Sequence, residues 1–276
     1  MPALELVETW PVPNAAAVTV AADGRVLGDF GDVERPFMLA SLTKMLTAWA
    51  VLVATEEGLL ALDDPVGQPG CTLRHLLAHA GGYSFDGPDP ITSPNRRRVY
   101  SNTGIEVAAG AVVERSGMAF DEYLGGAVLQ PLEMSRSELV GSPAHGLRST
   151  AGDIGRFLAE LQRPTLLSEA TATDAVRPQF PALAGIVPGV GRFDPCPWGL
   201  GFEIRGQKSP HWTGRTNSPE TYGHFGGAGT MAWVDPNARG ALVALTDRAF
   251  DEWSIDAMRC WPALSDAVVE ELASTP

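Results

Sequence analysis

Lysine is nearly absent from this 276-residue chain: it occurs at Lys44 and Lys208 and nowhere else, and arginine carries the rest of the positive charge. Basic residues are outnumbered, 20 Lys and Arg against 33 Asp and Glu, for a formal net charge of −13. No basic stripe of the kind that neutralises phosphates is present, which excludes nucleic acid as an expected partner. Cysteine is scarce too. Cys71, Cys196 and Cys260 are odd in number, widely spaced and without a CxxC pair, so they read as reduced structural thiols, and neither a metal nor another cofactor is expected. The longest largely apolar run, residues 45–54, falls far short of the roughly 20 residues that cross a bilayer and is flanked by Lys44 and Glu56, so no membrane association is expected. The first twenty residues contain Glu5 and Glu8, have no basic segment and are interrupted by Pro11 and Pro13; nothing there reads as a secretory signal, and the expected location is the cytoplasm. Oligomeric state leaves no trace in the sequence.

What is present is a chain with 45% hydrophobic residues, enough for a sizeable core. Residues 15–21 and 25–30 flank the dipeptide Asp23-Gly24, a pattern that predicts an antiparallel hairpin with a type I′ turn. The stretch MLASLTKMLTAWAVLVATEEG follows from Met38; it predicts a helix that starts near Ser41, ends at Gly58 and is apolar nearly all round, hence central and buried. Short helices are expected over 72–79, 103–116, 120–129 and 151–161, the last capped by Ser149 or Thr150. Strand-like runs return over 199–204, 230–234 and 241–246, and an amphipathic helix over 256–272 closes the pattern. Strands, helices, strands and a helix in that order predict an α+β fold: an antiparallel sheet flanked by helices, with an inserted all-α region. The sheet domain is expected to comprise 1–67 and 182–276, with the helical insert at 68–181, and the cleft between them is the place to look for a site.

Three constellations carry chemistry. Ser41 and Lys44 are three apart at a helix start, so the amine can reach the hydroxyl. A serine attacks poorly until its proton is taken, and a lysine accepts one only when burial lowers its pKa; the plainer alternative is a Lys44 that snorkels to solvent. Tyr100-Ser101-Asn102 precedes the helix at 103; a tyrosine there can shuttle protons and an asparagine can orient a lysine and a substrate amide, although a turn with an Asn cap explains the same residues. Gly223-His224-Phe225-Gly226-Gly227 lies beside a strand, where glycines leave backbone N–H groups open to an oxyanion and His224 either faces the reacting centre or caps a turn. Trp198, Trp212 and Phe225 are candidates for the cleft lining, with aromatic core packing the equally good alternative for each. Arg96-Arg97-Arg98 could hold an anionic substrate group, or form a solvated loop. GxSxG, HExxH and P-loop signatures are all missing.

SxxK, YxN and HxG occur in the order of the signature of the serine β-lactamase and penicillin-binding protein superfamily. Together with LALDDPV from Leu60, TLRHLLAHAGG from Thr72, GLRSTAGDIGRF from Gly146, WGLGF from Trp198 and YGHFGGAG from Tyr222, they make the chain resemble the class C β-lactamase-like serine hydrolases over most of its length. The resemblance implies Ser41 as acylated nucleophile, Lys44 as its activating partner, Tyr100 as proton shuttle, Asn102 as orienting group, and an oxyanion hole from the N–H groups of Ser41 and Gly227, beside Gly226. It leaves open whether Lys44 or Tyr100 takes the proton. His224 stands where many β-lactamases have the lysine of a KTG motif, which removes a fixed positive charge and favours an ester- or amide-hydrolysing member. The implied substrate is a small ester, amide or β-lactam. A penicillin-binding-like sensor that is acylated without turnover is the alternative.

Overall fold

The computed structural model describes residues 1–274. After an N-terminal 3-10 helix, which the sequence did not suggest, come β1 (Ala15–Ala21) and β2 (Val26–Phe30). Their turn is not type I′. Of the loop residues only Gly24 has a positive φ (88°), whereas type I′ needs one at both central positions. Ala21 O accepts the N–H of Gly24, and Asp23 accepts from the backbone and side chain of Arg25, which makes a three-residue loop ending in a left-handed glycine.

β3 (Phe37–Met38) leads through a 3-10 turn at Ala40–Leu42 into α1 (Thr43–Glu56), in which every residue from Thr43 to Ala54 is buried. α2 (Leu73–Leu77) starts at Thr72, whose side chain and that of His75 form a reciprocal capping box. α3 (Asn102–Ser116) is capped by Ser101 and ends at Gly117 in the left-handed conformation. The helix expected over 120–129 divides into α4 (Phe120–Leu124) and a π-helical stretch beginning at Gly125-Gly126, residues that favour the helix least. β5 (Leu147–Ser149) pairs with β3 on one side and with β4 (Glu138–Leu139) on the other in a small sheet. α5 (Ala151–Gln162) is capped by Thr150, and α6 (Glu169–Ala175), unforeseen in the sequence, by Ser168.

β6 (Gly185–Val187) and β7 (Gly191–Phe193) form a hairpin. The strand expected over 199–204 shrinks to β8 (Glu203–Ile204), because Gly201 adopts a positive φ (87°) and lies so close to α1 that a Cβ there would sit 2.2 Å from Ala48 Cβ. β9 (Tyr222–Gly226), β10 (Thr230–Asp235), β11 (Gly240–Thr246) and α7 (Phe250–Ser274), which bends at Trp253, complete the chain. His224 therefore lies within a strand, not beside one.

The main sheet has the order β2-β1-β11-β10-β9-β8, antiparallel throughout. Its inner strands β1, β11 and β10 are buried on both faces: Val243 and Leu245 join one core with α1 and α5, and Leu242 and Ala244 join a second with α7. Burial on both sides explains why these strands read as continuous apolar runs without polar alternation. No helix among the described residues is long and apolar enough to cross a membrane.

Candidate active site

The polypeptide approaches Ser41 through Ala40, which takes φ 47°, a left-handed conformation that costs a side-chain-bearing residue on the order of 1 kcal/mol. What holds it there is the neighbouring sheet. Thr230 Oγ1 donates to Leu39 O at 2.8 Å, and Gly226 lies so close that a Cβ would fall 2.3 Å from the same carbonyl. Ser41 is thereby presented at the N-terminal end of α1, where backbone N–H groups lack intrahelical partners.

One turn on, Lys44 is fully buried, so it does not snorkel. Its Nζ donates to Asn102 Oδ1 at 2.7 Å, to Ala144 O at 2.9 Å and to Ser41 Oγ at 3.1 Å, and lies 4.8 Å from the centroid of the Tyr100 ring. Burial lowers its pKa from 10.5 to about 7, against the opposing pull of Glu106 and Asp86. Asn102 and the Ala144 carbonyl offer only lone pairs here. A neutral amine has two hydrogens for them, and its own lone pair is left for the Ser41 hydroxyl.

Tyr100 is buried at the same point and hydrogen-bonds Ser41; burial pushes its phenol above the ordinary range, so it is a proton donor in the resting site. Asn102 is oriented from behind: its Nδ2 donates to Asp86 Oδ1 at 2.9 Å, which fixes Oδ1 toward Lys44. Asp86 and the Ala144 carbonyl are contributors that the sequence did not reveal; neither sits in a recognisable motif, and both act only through the tertiary placement of loops.

His224 projects from β9 into the same hollow, with its ring 5.6 Å from Tyr100 and 5.7 Å from Trp198. Burial and the charge of Lys44 depress its pKa to about 3, so it is neutral. Nδ1 is 2.6 Å from Phe225 O, which assigns the proton to Nδ1 and leaves Nε2 as a buried acceptor with no protein partner. Ser41, Tyr100, Trp198, His224, Phe225 and Gly227 line one cavity of about 220 Å³, with Phe85, Val187 and Phe250 completing an apolar wall. At Gly227 an added Cβ would meet nothing within 4 Å, so the backbone is open to the cavity. Trp212 is not part of the wall; it packs on His211 and donates to Glu203.

The second lysine is buried as well. Lys208 Nζ sits 2.8 Å from Glu203 Oε1, and His211 Nε2 sits 3.0 Å from the same oxygen. Burial alone would raise the Glu203 carboxyl, but Lys208 and His211 hold it well below the usual range. Among the described residues no group of three or more His, Cys, Asp or Glu is placed to hold a metal.

The sequence matches the family model described as Beta-lactamase over residues 14–259. The chain belongs to the β-lactamase family. A crystal structure of a β-lactamase from Mycobacterium bovis is 48% identical, superimposes with a TM-score of 0.95, and the match covers 98% of this chain and 99% of that one. Simvastatin synthase from Aspergillus terreus, in a mutant form, shares the fold at 17% identity with a TM-score of 0.79, covering 98% of this chain and 93% of that one. A β-lactamase of Yersinia enterocolitica is 26% identical over 48% of this chain and 47% of its own length. Penicillin-binding protein 4* of Bacillus subtilis is 28% identical over 37% of this chain and 30% of its own length. The chain thus spans half or less of these two curated relatives. The β-lactamase-family fold also accounts for the glycine-dense segment of β9: Gly223 would place a Cβ 2.1 Å from Ala232 O, so the strand pairs too tightly there for any side chain.

Proposed function

We propose that the protein is a serine hydrolase that cleaves an ester or amide through an acyl-enzyme on Ser41. The observation that carries the reading is the environment of Lys44 Nζ: two acceptor-only partners and the Ser41 hydroxyl, in a site dry enough to bring its pKa to about 7. In this reading Lys44, neutral, takes the Oγ proton as Oγ bonds the substrate carbonyl carbon. The oxyanion is received by the N–H groups of Ser41 and Gly227. Tyr100 gives its proton to the leaving group and regains one from the Lys44 ammonium, and the acyl bond then breaks by attack of water whose proton returns along the same groups. With a phenol held upward and an amine held near neutrality, Lys44 is the base of the acylation step.

His224 completes the reading by what it lacks. A neutral imidazole at this place accepts a substrate N–H or O–H at Nε2 but supplies no charge to a carboxylate, which favours esters and amides over classical β-lactams. We further take residues 1–67 with 182–276 as the sheet domain and 68–181 as the inserted region, mainly helical but including β4 and β5 and with its α5 packed on the main sheet; the cavity draws Ser41, His224 and Gly227 from the first and Tyr100 from the second. Turnover of p-nitrophenyl acetate and of a chromogenic cephalosporin, with wild type and Ser41→Ala, tests the proposal. Ester turnover that falls at least about 10³-fold in the variant is expected. Equal rates would remove Ser41 from the mechanism, and a wild type that releases a single equivalent of p-nitrophenol and stays acylated without further turnover would make the protein a sensor.

A further inference from the structure

Arg96-Arg97-Arg98 found no place in the catalytic account, and the structure separates its members. Arg98 is buried and holds four backbone carbonyls, those of Ala78, Gln179, Phe180 and Cys196. Its neighbours are dipoles and not carboxylates; burial lowers its pKa only to about 10, so a full positive charge remains within the wall. Arg98 N–H also bonds Ala184 O at 2.8 Å and Arg98 bridges Gly185, which docks the β6–β7 hairpin against this segment. Ile186 pairs with Arg192 in that hairpin. The result is a groove of about 510 Å³ into which Arg97, Arg98 and Arg192 all face, with Phe85, Ile186 and Pro188 as apolar flanks and no acidic residue in its lining.

Two features make this groove more than a basic spot on the surface. Phe85, Tyr100 and Pro188 line both it and the cavity containing Ser41, so the two spaces adjoin across these three residues. The charge also differs between them: the catalytic cavity is lined by Asp251 and by Glu203, which is paired with Lys208 and His211, while the groove carries three arginines, in a chain whose acidic residues exceed its basic ones by 33 to 20. Arg97 and Arg192 are exposed, and among the described residues neither guanidinium has an ion-pair or hydrogen-bond partner. Other exposed arginines are also unpaired, but these two converge on one groove.

We propose that this groove is an anion subsite, and that the substrate is an amphiphilic ester or amide whose portion remote from the scissile bond bears a carboxylate or a comparable anion held by Arg97 and Arg192. The proposal rests on the acyl-enzyme reading for where the scissile bond lies. It places anion recognition away from position 224, whose imidazole is neutral, and uses guanidinium groups suited to bidentate oxygen pairs.

The test compares kcat/KM for matched ester pairs that differ only in an anion. One pair sets p-nitrophenyl pentanoate against the p-nitrophenyl half-ester of adipic acid; the other sets phenyl acetate against 3-acetoxybenzoate, so that the anion lies on the acyl side or on the leaving-group side. Wild type is expected to favour the anionic member of at least one pair by about tenfold or more, a preference that weakens with added salt. Arg97→Ala with Arg192→Ala should abolish that ratio. Arg115→Ala, which removes an exposed arginine lining a separate surface hollow, should leave it in place. Neutral esters favoured in both pairs, or a preference that survives the double substitution, would overturn the subsite. Failure of the acyl-enzyme reading shows separately, as neutral-ester turnover that does not depend on Ser41.

Discussion

If Lys44 is the base, activity must follow its protonation. Its pKa falls from 10.5 to about 7 because the buried ammonium has lost its water, a difference of about 5 kcal/mol between the two protonation states. At pH 7 an ordinary lysine is neutral in roughly one molecule in 3,000, whereas this one is neutral in about half, so burial supplies about 10³ of the rate at neutral pH. The acylation rate, read from the burst of p-nitrophenol in stopped flow, is expected to rise about tenfold per pH unit below 7 and to level off above it. Neighbouring groups do not mimic this limb: Tyr100 is held upward, His224 at about 3, and Glu203 below the usual carboxylate range. Stability gives a second readout. A lysine whose folded pKa lies below its unfolded value destabilises the protein fully below pH 7, and the cost fades as pH rises from 7 toward 10.5. Wild type should therefore gain about 2 kcal/mol on a Lys44→Met variant between pH 7 and 9 in urea unfolding. A rate independent of pH from 5 to 9, or one still climbing at pH 9, would refute the reasoning.

Other perturbations follow from the same geometry. Asp86→Ala removes a charge that supports the Lys44 ammonium and the acceptor that fixes Asn102, so the pH limb should move down and the plateau fall about tenfold. Gly226→Ala forces a Cβ to 2.3 Å from Leu39 O and should cost about 1–3 kcal/mol with about 10²-fold loss of acylation, while Gly227→Ala, which meets open space, should leave the melting temperature within a degree or two. Glu203→Gln strands the buried Lys208 and should destabilise by about 3–5 kcal/mol, with much of the loss recovered in Glu203→Gln/Lys208→Met. Because the Glu203 carboxyl is held below its unfolded pKa, its stabilisation is present above about pH 4.5 and is lost as pH falls further, which a comparison of acid unfolding between wild type and Glu203→Gln will show.

The legible parts of this protein are those that local chemistry decides. An all-apolar α1 could only be central, and the helix starts expected at 72, 103 and 151 fall within a residue of those of α2, α3 and α5, the last with Thr150 as its cap. Ser41, Lys44, Tyr100 and Asn102, 61 positions apart at their extremes, do converge. What escaped notice depends on contacts distant in sequence. Residues 199–202 look like a strand, yet Gly201 is bent to fit against α1; β9 was hidden because its glycines are there to let a neighbouring backbone approach. Asp86 and the Ala144 carbonyl complete the surroundings of Lys44 from loops with no motif. Lys208 lies in no motif, and its burial against Glu203 follows only from the tertiary fold. Arg98 fits neither of its two expectations, since it braces the loops beneath the groove instead of meeting solvent or lying free for a ligand.

The central claim is a covalent acyl-enzyme on Ser41. Its most direct test is intact mass spectrometry, followed by peptide mapping, after a brief exposure to a fluorophosphonate or an activated ester at pH 8. The account predicts one adduct of the reagent's mass, located on Ser41, absent from Ser41→Ala and slowed about 10³-fold in Lys44→Met. An adduct on another residue, or labelling of Ser41→Ala at the wild-type rate, would contradict it.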